Sequence, residues 1–212
     1  MILPNSPHLP IRTLNACFTN TTSSYKYVWF LTLLQFVEVG REKISKHEMF
    51  AGMLSNAWPL VLDSEVSLGA YDQTRVILNQ LKRALLLEPD FSREKVYETL
   101  AGVQWGESRK AMWILDKYVP YLFLTPWFPK KTGETDREKE QRTELESQMF
   151  KGMCLYALYS DHIQVNPDWV PYLKQHSEGI TRFCLFHFSS FLEKRNPHQF
   201  HFYPRLEKLY FT

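Results

Sequence analysis

The residues that come closest to a catalytic arrangement are Asp161-His162, Asn166 and His176. Nucleases of the ββα-metal type use this order: one histidine activates water, an asparagine orients it, and a second histidine with the aspartate holds a divalent ion. Only three residues separate His162 from Asn166, too few for a β-hairpin to lie between them. Asn166 followed by a proline also fits a helix cap with a first-turn proline. A surface turn is therefore the preferred interpretation of this cluster.

Other chemically capable side chains are scattered along the chain. His187, His198 and His201 have no carboxylate or cysteine at ligand spacing beside them, and Cys184 is flanked by apolar residues typical of packing. The chain has no Gly-x-Ser-x-Gly elbow, Walker loop or Gly-x-Gly-x-x-Gly run. The sequence therefore predicts no catalytic residue and no metal or other cofactor in this chain.

Basic residues form small clusters, namely Arg41/Lys43/Lys46, Lys82/Arg83, Arg109/Lys110, Lys130/Lys131 and Lys194/Arg195. Several clusters on one face would neutralise phosphates, whereas the alternative for any single cluster is a solvated helical surface with interleaved acids. Lys130-Lys131 is the best candidate, because Trp127 and Phe128 beside it would stack on bases. The candidate nucleic-acid-binding residues are therefore Lys130, Lys131, Trp127, Arg109 and Lys110.

The composition is that of an ordinary globular protein, with 212 residues, 44% of them hydrophobic and 23% charged. A net charge of +2 gives no global attraction to nucleic acid. The cysteines Cys17, Cys154 and Cys184 are widely spaced without a Cys-x-x-Cys pair, which predicts free thiols in a reducing compartment. The proline-broken N-terminus lacks the basic start of a signal peptide. A cytoplasmic protein that does not enter the membrane is expected.

The most apolar run, Ser24–Gly40, predicts a helix buried on most of its circumference, around which the other elements must pack. It carries too many polar residues for a membrane span, which needs about 18 unbroken apolar residues. Gly40 suits the left-handed conformation that ends a helix. The expected outer stripe consists of Lys26, Thr32, Gln35 and Glu38.

Capping signals predict where further helices begin. Ser45 with Glu48, and Thr135 with Glu138, fit the capping box in which each side chain bonds the other residue's free amide. Ser92 is a simpler cap for a helix that follows it.

Breaking residues predict where helices stop. The helix after Ser45 should end before Pro59, and another break is expected at Gly179. A short helix over 108–118 should lead into buried irregular chain over 119–129, which holds three prolines. Residues 155–165 could form a hairpin around a turn at 160–162.

The predicted fold class is all-α, or mostly so: an antiparallel multi-helix globular domain with at most one small β-hairpin near 155–165. One domain is expected over 1–212, with an extended arm at 1–12, an exposed charged segment at 130–147 and an apolar tail at 198–212. A tail that ends on apolar residues predicts either a chain cut there or a surface paired with a partner.

Several stretches together resemble the N-terminal region of bacterial HNH endonuclease domain-containing proteins. They are Leu3–Phe18 (LPNSPHLPIRTLNACF), 20–22 (NTT) with Ser24–Phe30 (SYKYVWF), Met53–Trp58 (MLSNAW), Tyr118–Phe128 (YVPYLFLTPWF) and Trp169–Cys184 (WVPYLKQHSEGITRFC). The likeness extends over nearly the whole chain. The resemblance implies an organisation in which a helical N-terminal part is followed by an HNH nuclease part with an Ile-Asp-His-Phe-x-Pro-Trp signature. That signature is absent here, so no catalytic residue of the family maps onto this chain.

The resemblance implies a non-catalytic helical module that positions DNA or a partner for a metal-dependent DNA nuclease, with defence against foreign DNA as a fitting role. A divalent metal is expected only if an HNH part follows, and whether the protein is an enzyme is left open. The alternative is an interaction module without nucleic-acid contact, docking through Phe202, Tyr210 and Phe211 of the tail. On that alternative, replacing these three residues with serine should abolish assembly and leave the fold intact.

Overall fold

A computed structural model of the chain describes residues 1–19, 21–103 and 105–211, and for 105–111 it describes the backbone alone. The α-helices in these ranges are α1 Ile11–Ala16, α2 Tyr25–Glu38, α3 Lys46–Leu62, α4 Thr74–Leu85, α5 Arg93–Gly102, α6 Trp105–Leu124, α7 Asp136–Gln148, α8 Val170–Gln175, α9 Ser177–Arg195 and α10 Phe202–Phe211. The described strands are β1 Lys43–Ser45, β2 Tyr156–Leu158 and β3 His162–Val165, and Lys151–Met153 form a 3-10 turn. The predicted fold class, mostly α with a small β element, is confirmed.

Helix α2 lies at the centre of the core, as its apolar sequence predicts. It contacts α3, α6, α8 and α9. Phe30 stacks on Phe123 of α6 with 5.4 Å between ring centroids, and Tyr27 stacks on Phe188 of α9 at 4.9 Å. One continuous buried cluster extends from Leu3 to Leu206.

The expected outer stripe of α2 is wrong at Thr32, which is buried. Its hydroxyl donates to the Val28 carbonyl at 2.8 Å and accepts from the Asn56 amide nitrogen of α3 at 2.9 Å. Because both roles of the hydroxyl are filled by protein groups, the side chain needs no water. Gly40 has φ +79°, the left-handed conformation predicted for it.

The helix starts predicted at Ser45, Ser92 and Thr135 are confirmed, whereas the cap predicted at Asn166 is wrong, because α8 begins at Val170 with Trp169 as its N-cap. Both capping boxes form, with the Glu48 amide donating to Ser45 Oγ at 3.2 Å and the Glu138 amide donating to Thr135 Oγ1 at 3.3 Å. Ser92 caps α5 through its side-chain oxygen. These starts are local, because every group they need lies within four residues of the cap.

Helix α3 does not stop before Pro59 as expected; it continues to Leu62. Leu60 and Val61, beyond the proline, are buried and therefore favour continuing the helix into the core. Arg75 of α4 donates to the Val61 carbonyl at 2.6 Å, which satisfies an acceptor that the helix end leaves without an intrahelical partner.

Helix α6 corrects the prediction of a short helix at 108–118 followed by irregular chain at 119–129, since it is helical through Pro120 to Leu124. A proline inside a helix costs about 3 kcal/mol, because it lacks a donor and crowds the preceding turn. Val119, Phe123 and Leu124 are all buried, and helical spacing is what directs them into the core. Tyr156 donates its hydroxyl to the Pro120 carbonyl at 2.6 Å, which fixes this turn against the sheet.

The predicted hairpin is confirmed as β2 and β3, and β1 adds a third antiparallel strand beside β3, with Ile44 opposite Ile163. Helix α7 covers the other edge of β2. The Leu158 amide donates to Ser147 Oγ at 3.0 Å, and Gln148 donates to the Leu158 carbonyl at 2.7 Å. Side chains of α7 thus fill the bonding positions that a further strand would take.

The arm at 1–12 is shorter than expected, since α1 begins at Ile11. Tyr172 holds the arm by donating its hydroxyl to the Pro4 carbonyl at 2.7 Å. The charged segment at 130–147 is mostly exposed, as predicted, although Thr143 is buried against the core.

The C-terminal half also departs from its predicted boundaries. The break expected at Gly179 is wrong: α8 ends at Gln175 with His176 as its cap, and α9 continues through Gly179. Residues 202–211 of the tail form α10, which packs on α9 and buries Phe202 and Leu206. No helix in the described part of the chain is both long and apolar enough to cross a membrane.

Candidate functional site

The structure changes the interpretation of the aromatic-basic segment at 127–131. Lys130 forms an ion pair with Asp136 at 2.7 Å, and the Lys131 backbone amide donates to Glu134 at 2.9 Å. Phe128 is only 2% exposed, which corrects the expectation that its ring stacks on bases. Trp127 is half-buried and meets Trp169 edge-on, with 6.3 Å between ring centroids. In this segment the two lysines are exposed at the surface, whereas the Phe128 ring is buried in the core and the Trp127 ring is half-buried.

The side chains of Arg109 and Lys110, the other two candidate residues, lie outside the described residues. Their backbone belongs to α6, four and three positions before Trp113.

An exposed aromatic-basic surface lies further along α6. We define the α6 surface as Trp113, Lys117, Tyr118 and Leu122; Trp113 and Lys117 are spaced four residues apart, and so are Tyr118 and Leu122. Trp113 is 57% and Tyr118 is 41% exposed. The Lys117 ammonium lies 5.3 Å from the Trp113 ring centroid and 4.9 Å from that of Tyr118. Such cation–π contacts hold a flexible lysine beside two rings while its charge stays in water.

Three lysines around this surface have no carboxylate partner in the part of the chain that the structure describes. Within the described ranges, no carboxylate oxygen lies within 4.0 Å of the ammonium group of Lys117, Lys139 or Lys26. Lys139 lines the same hollow as Lys117, of about 290 Å³, and burial lowers the pKa of both Lys139 and its neighbour Lys26. A hydrogen bond with the Tyr118 side chain raises the pKa of Lys117. All three lysines add positive potential that local ion pairing does not cancel.

Acidic groups moderate this potential. Asp136 and Glu140 also line the hollow, and Glu144 accepts a hydrogen bond from the Tyr121 hydroxyl. The surface is therefore mixed in sign, with the Lys117 ammonium beside the exposed rings.

Three residues of the other basic clusters are engaged within the fold. Lys46 pairs with Asp116 at 3.0 Å, and Arg41 pairs with Glu48 at 2.6 Å. Arg195 donates to a backbone carbonyl at 3.2 Å and lies over an aromatic ring. These charges have partners already, so they are weaker candidates for binding phosphate.

The tail residues are only partly available to a partner. Phe202 is buried against the chain itself, and Tyr210 is half-buried, with its hydroxyl 3.4 Å from the Asn56 carbonyl oxygen. Phe211 is 40% exposed, with the Arg182 guanidinium 4.6 Å from its ring centroid. The expectation that replacing Phe202 leaves the fold intact is therefore corrected.

The nuclease-like order at 161–176 has structural explanations in this fold. His162 lies 2.7 Å from the Asp161 carboxylate and stacks on Tyr159. Asn166 is buried, donating to the Cys154 carbonyl at 3.0 Å and accepting from a backbone amide at the start of a turn. Among the residues that the structure describes, no group of three histidine, cysteine or acidic side chains is arranged to hold a metal ion.

Comparison with known proteins identifies no relative: no protein-family model matches the chain, and no curated protein or solved structure does so significantly. The sequence and the geometry alone must therefore support any functional proposal.

Proposed function

We propose that this chain is a non-catalytic helical module of an HNH-type metal-dependent DNA nuclease, working in the cytoplasm and contacting nucleic acid through the α6 surface. The observation that carries the proposal is Lys117, which lies over the exposed rings of Trp113 and Tyr118 without a carboxylate partner among the described residues. The sequence resemblance to the helical part of such nucleases supports the same function. Cleavage itself belongs to a nuclease part that this module serves.

The expected mode of binding is stacking combined with phosphate neutralisation. Each base that stacks on an aromatic side chain contributes about 1–3 kcal/mol, and lysines beside the ring follow the backbone. Since Asp136 and Glu140 lie in the adjoining hollow, the affinity should be modest. It should fall as salt rises, because binding releases counterions from the nucleic acid.

The test is fluorescence anisotropy with labelled single-stranded and double-stranded DNA at low and physiological salt. Trp113→Ala should weaken binding by removing the stacking platform, and Lys117→Gln should weaken it uniformly across sequences and flatten the salt dependence. Lys130→Gln is the matched control, because Asp136 already neutralises Lys130 and its loss should matter less. Circular dichroism verifies that each variant remains folded.

Two outcomes would refute the nucleic-acid part of the proposal. One is the absence of binding to either DNA at low salt. The other is binding that Trp113→Ala and Lys117→Gln leave unchanged.

A second candidate function is assembly with another copy through the tail, favoured by Phe200, which is 73% exposed. The serine variants that test it are Phe200→Ser and Phe211→Ser, because both side chains reach the surface, whereas Phe202 does not. Sedimentation velocity should show a concentration-dependent oligomer that both variants disrupt. A chain that is monomeric at every concentration would reject this candidate.

A further inference from the structure

A cleft of about 540 Å³ lies between α2, α3 and α5. None of the residues that line it belongs to the α6 surface or to the hollow beside that surface. Its volume is within the range of about 300–1,000 Å³ that small-molecule sites occupy. Phe36 and Val39 of α2 and Tyr97 of α5 supply apolar walls. Polar groups that line it include those of Gln35, Asn56 and Arg93.

The floor of the cleft is a fixed polar network. Asn56 donates from its amide nitrogen to Gln35 Oε1 and to Thr32 Oγ1, each at 2.9 Å, and Gln35 donates back to Asn56 Oδ1 at 3.3 Å. Asn56 is buried, while Gln35 is exposed and lines the opening. The Gln35 side-chain amide therefore uses its oxygen and one N–H in the pair with Asn56, and its second N–H can donate to a ligand.

Arg93 is positioned beside this network as an anion receptor. Its guanidinium lies 4.7 Å from the Tyr210 ring centroid, and Nη1 donates to Asn56 Oδ1 at 3.2 Å. A guanidinium has five N–H donors. Among the described residues, the other groups that Arg93 contacts are the Tyr210 side chain and the carboxylate of Glu94, which is 4.0 Å away. Stacking and one hydrogen bond fix the plane of the group and leave donors for a second acceptor.

The other charges of the cleft limit what it can hold. Arg41 is already engaged with both oxygens of Glu48, at 2.6 and 3.0 Å. Glu94 and Glu98 at the rim are mostly exposed, with side chains that remain 72% and 68% accessible, and they disfavour a doubly charged anion. One available guanidinium fork matches a carboxylate, which accepts two parallel N–H bonds.

We propose that this cleft binds a small carboxylic acid with an aromatic body. Arg93 receives the carboxylate through its unpaired donors, and the Gln35 amide donates to the same group. The aromatic body lies against Phe36 and Tyr97. This site is independent of nucleic-acid binding by the α6 surface, so either function can fail while the other stands.

The first experiment is calorimetric titration of the full chain with 2-naphthoate, with its neutral analogue 2-naphthamide as the matched ligand. Naphthoate should bind at least about tenfold more tightly, because only its charged group forms charge-assisted bonds with Arg93. Inorganic phosphate, the third probe, should not displace naphthoate. Equal binding of the two naphthyl compounds, no binding of either, or displacement by phosphate would each overturn the proposal.

Variants then locate the site. Arg93→Gln should lower naphthoate affinity by about tenfold or more. Since this change also removes the stack on Tyr210, Val39→Trp provides a second variant: Val39 is 72% exposed at the rim, and an indole there should block entry without disturbing the core. Val76→Trp, at a 49% exposed position of α4 that does not line the cleft, is its control. Unchanged affinity in a folded Val39→Trp variant would place the ligand elsewhere and overturn the proposal.

Discussion

Gly52 of α3 lies directly against Thr32 of α2, and a Cβ atom at position 52 would stand 2.4 Å from Thr32 Cγ2. Thr32 cannot easily turn away, because its hydroxyl is bonded to Val28 and to Asn56. The absence of a side chain at 52 is therefore what lets the two helices approach. The same approach sets the floor of the cleft that contains Gln35 and Asn56.

Gly52→Ala should destabilise the protein by about 1–3 kcal/mol, because an added methyl group must push α3 from α2. Urea unfolding followed by circular dichroism measures the change. Gly179→Ala in α9 is the control: outside the neighbouring backbone of its own helix, no described atom lies within 4 Å of its Cβ position, so alanine should stabilise by up to about 1 kcal/mol. Equal shifts of both midpoints would show that the close contact has no energetic role.

Glu48 should make stability depend on pH. The Arg41 guanidinium, with the Ser45 hydroxyl, lowers the pKa of Glu48 to about 2 from its ordinary value of 4.5. A carboxylate whose pKa is lower in the folded state contributes its full stabilisation at pH values above its ordinary pKa, here 4.5. That contribution is lost as the pH falls towards the folded-state pKa of about 2. Glu48→Gln should keep the capping box, lose about 1 kcal/mol at neutral pH, and approach the parent protein as the pH falls.

The other capping box provides the control for that measurement. Glu138 bonds Thr135 in the same way as Glu48 bonds Ser45, and no arginine whose side chain the structure describes pairs with it. Glu138→Gln should therefore change the free energy of unfolding less than Glu48→Gln does. If the two substitutions change the free energy of unfolding equally, the stabilisation comes from the capping box alone and not from the ion pair with Arg41.

Phe202 should be a residue of the core and not of an interface. It is 2% exposed, so Phe202→Ala should cost about 3–5 kcal/mol of folding free energy through lost burial and the cavity left behind. Phe200→Ala, two positions earlier at a 73% exposed site, should remain within about 0.5 kcal/mol of the parent. Thermal melts of the two variants make the comparison, and a stable Phe202→Ala protein would contradict the packing of α10 on α9.

The three cysteines should be unreactive in the folded protein. Cys17, Cys154 and Cys184 are buried free thiols, and burial raises the pKa of each, that of Cys154 to about 12. Because the thiolate is the reactive form, a thiol reagent at mildly alkaline pH should label none before denaturation and all three afterwards. Phe200→Cys adds an exposed thiol as a positive control. Labelling of a native cysteine as fast as this control would show that its site opens.

The exposure of the α6 surface could not be predicted from local sequence. The spacing of Trp113 and Lys117 is visible in the sequence, but whether the rings face solvent or the core depends on which elements pack on α6. Lys130 has no evident ion-pair partner in the local sequence, because Asp136, with which it pairs, lies six positions away across a turn. Trp127 and Phe128 are adjacent in the sequence, as a stacking platform requires, but in the fold Phe128 is buried, and Trp127 is half-buried with Trp169 edge-on to it.

The sequence by itself determined the mostly helical class, the capped helix starts, the central place of α2 and the hairpin, because these depend on spacing and on groups a few residues apart. Only the tertiary structure decided that α3 and α6 pass through Pro59 and Pro120, that β1 joins the sheet, and that the tail folds back as α10. In each of these cases burial and hydrogen bonds to distant segments outweigh a local preference. The partners of Arg93, which come from α3 and α10, were fixed in the same way.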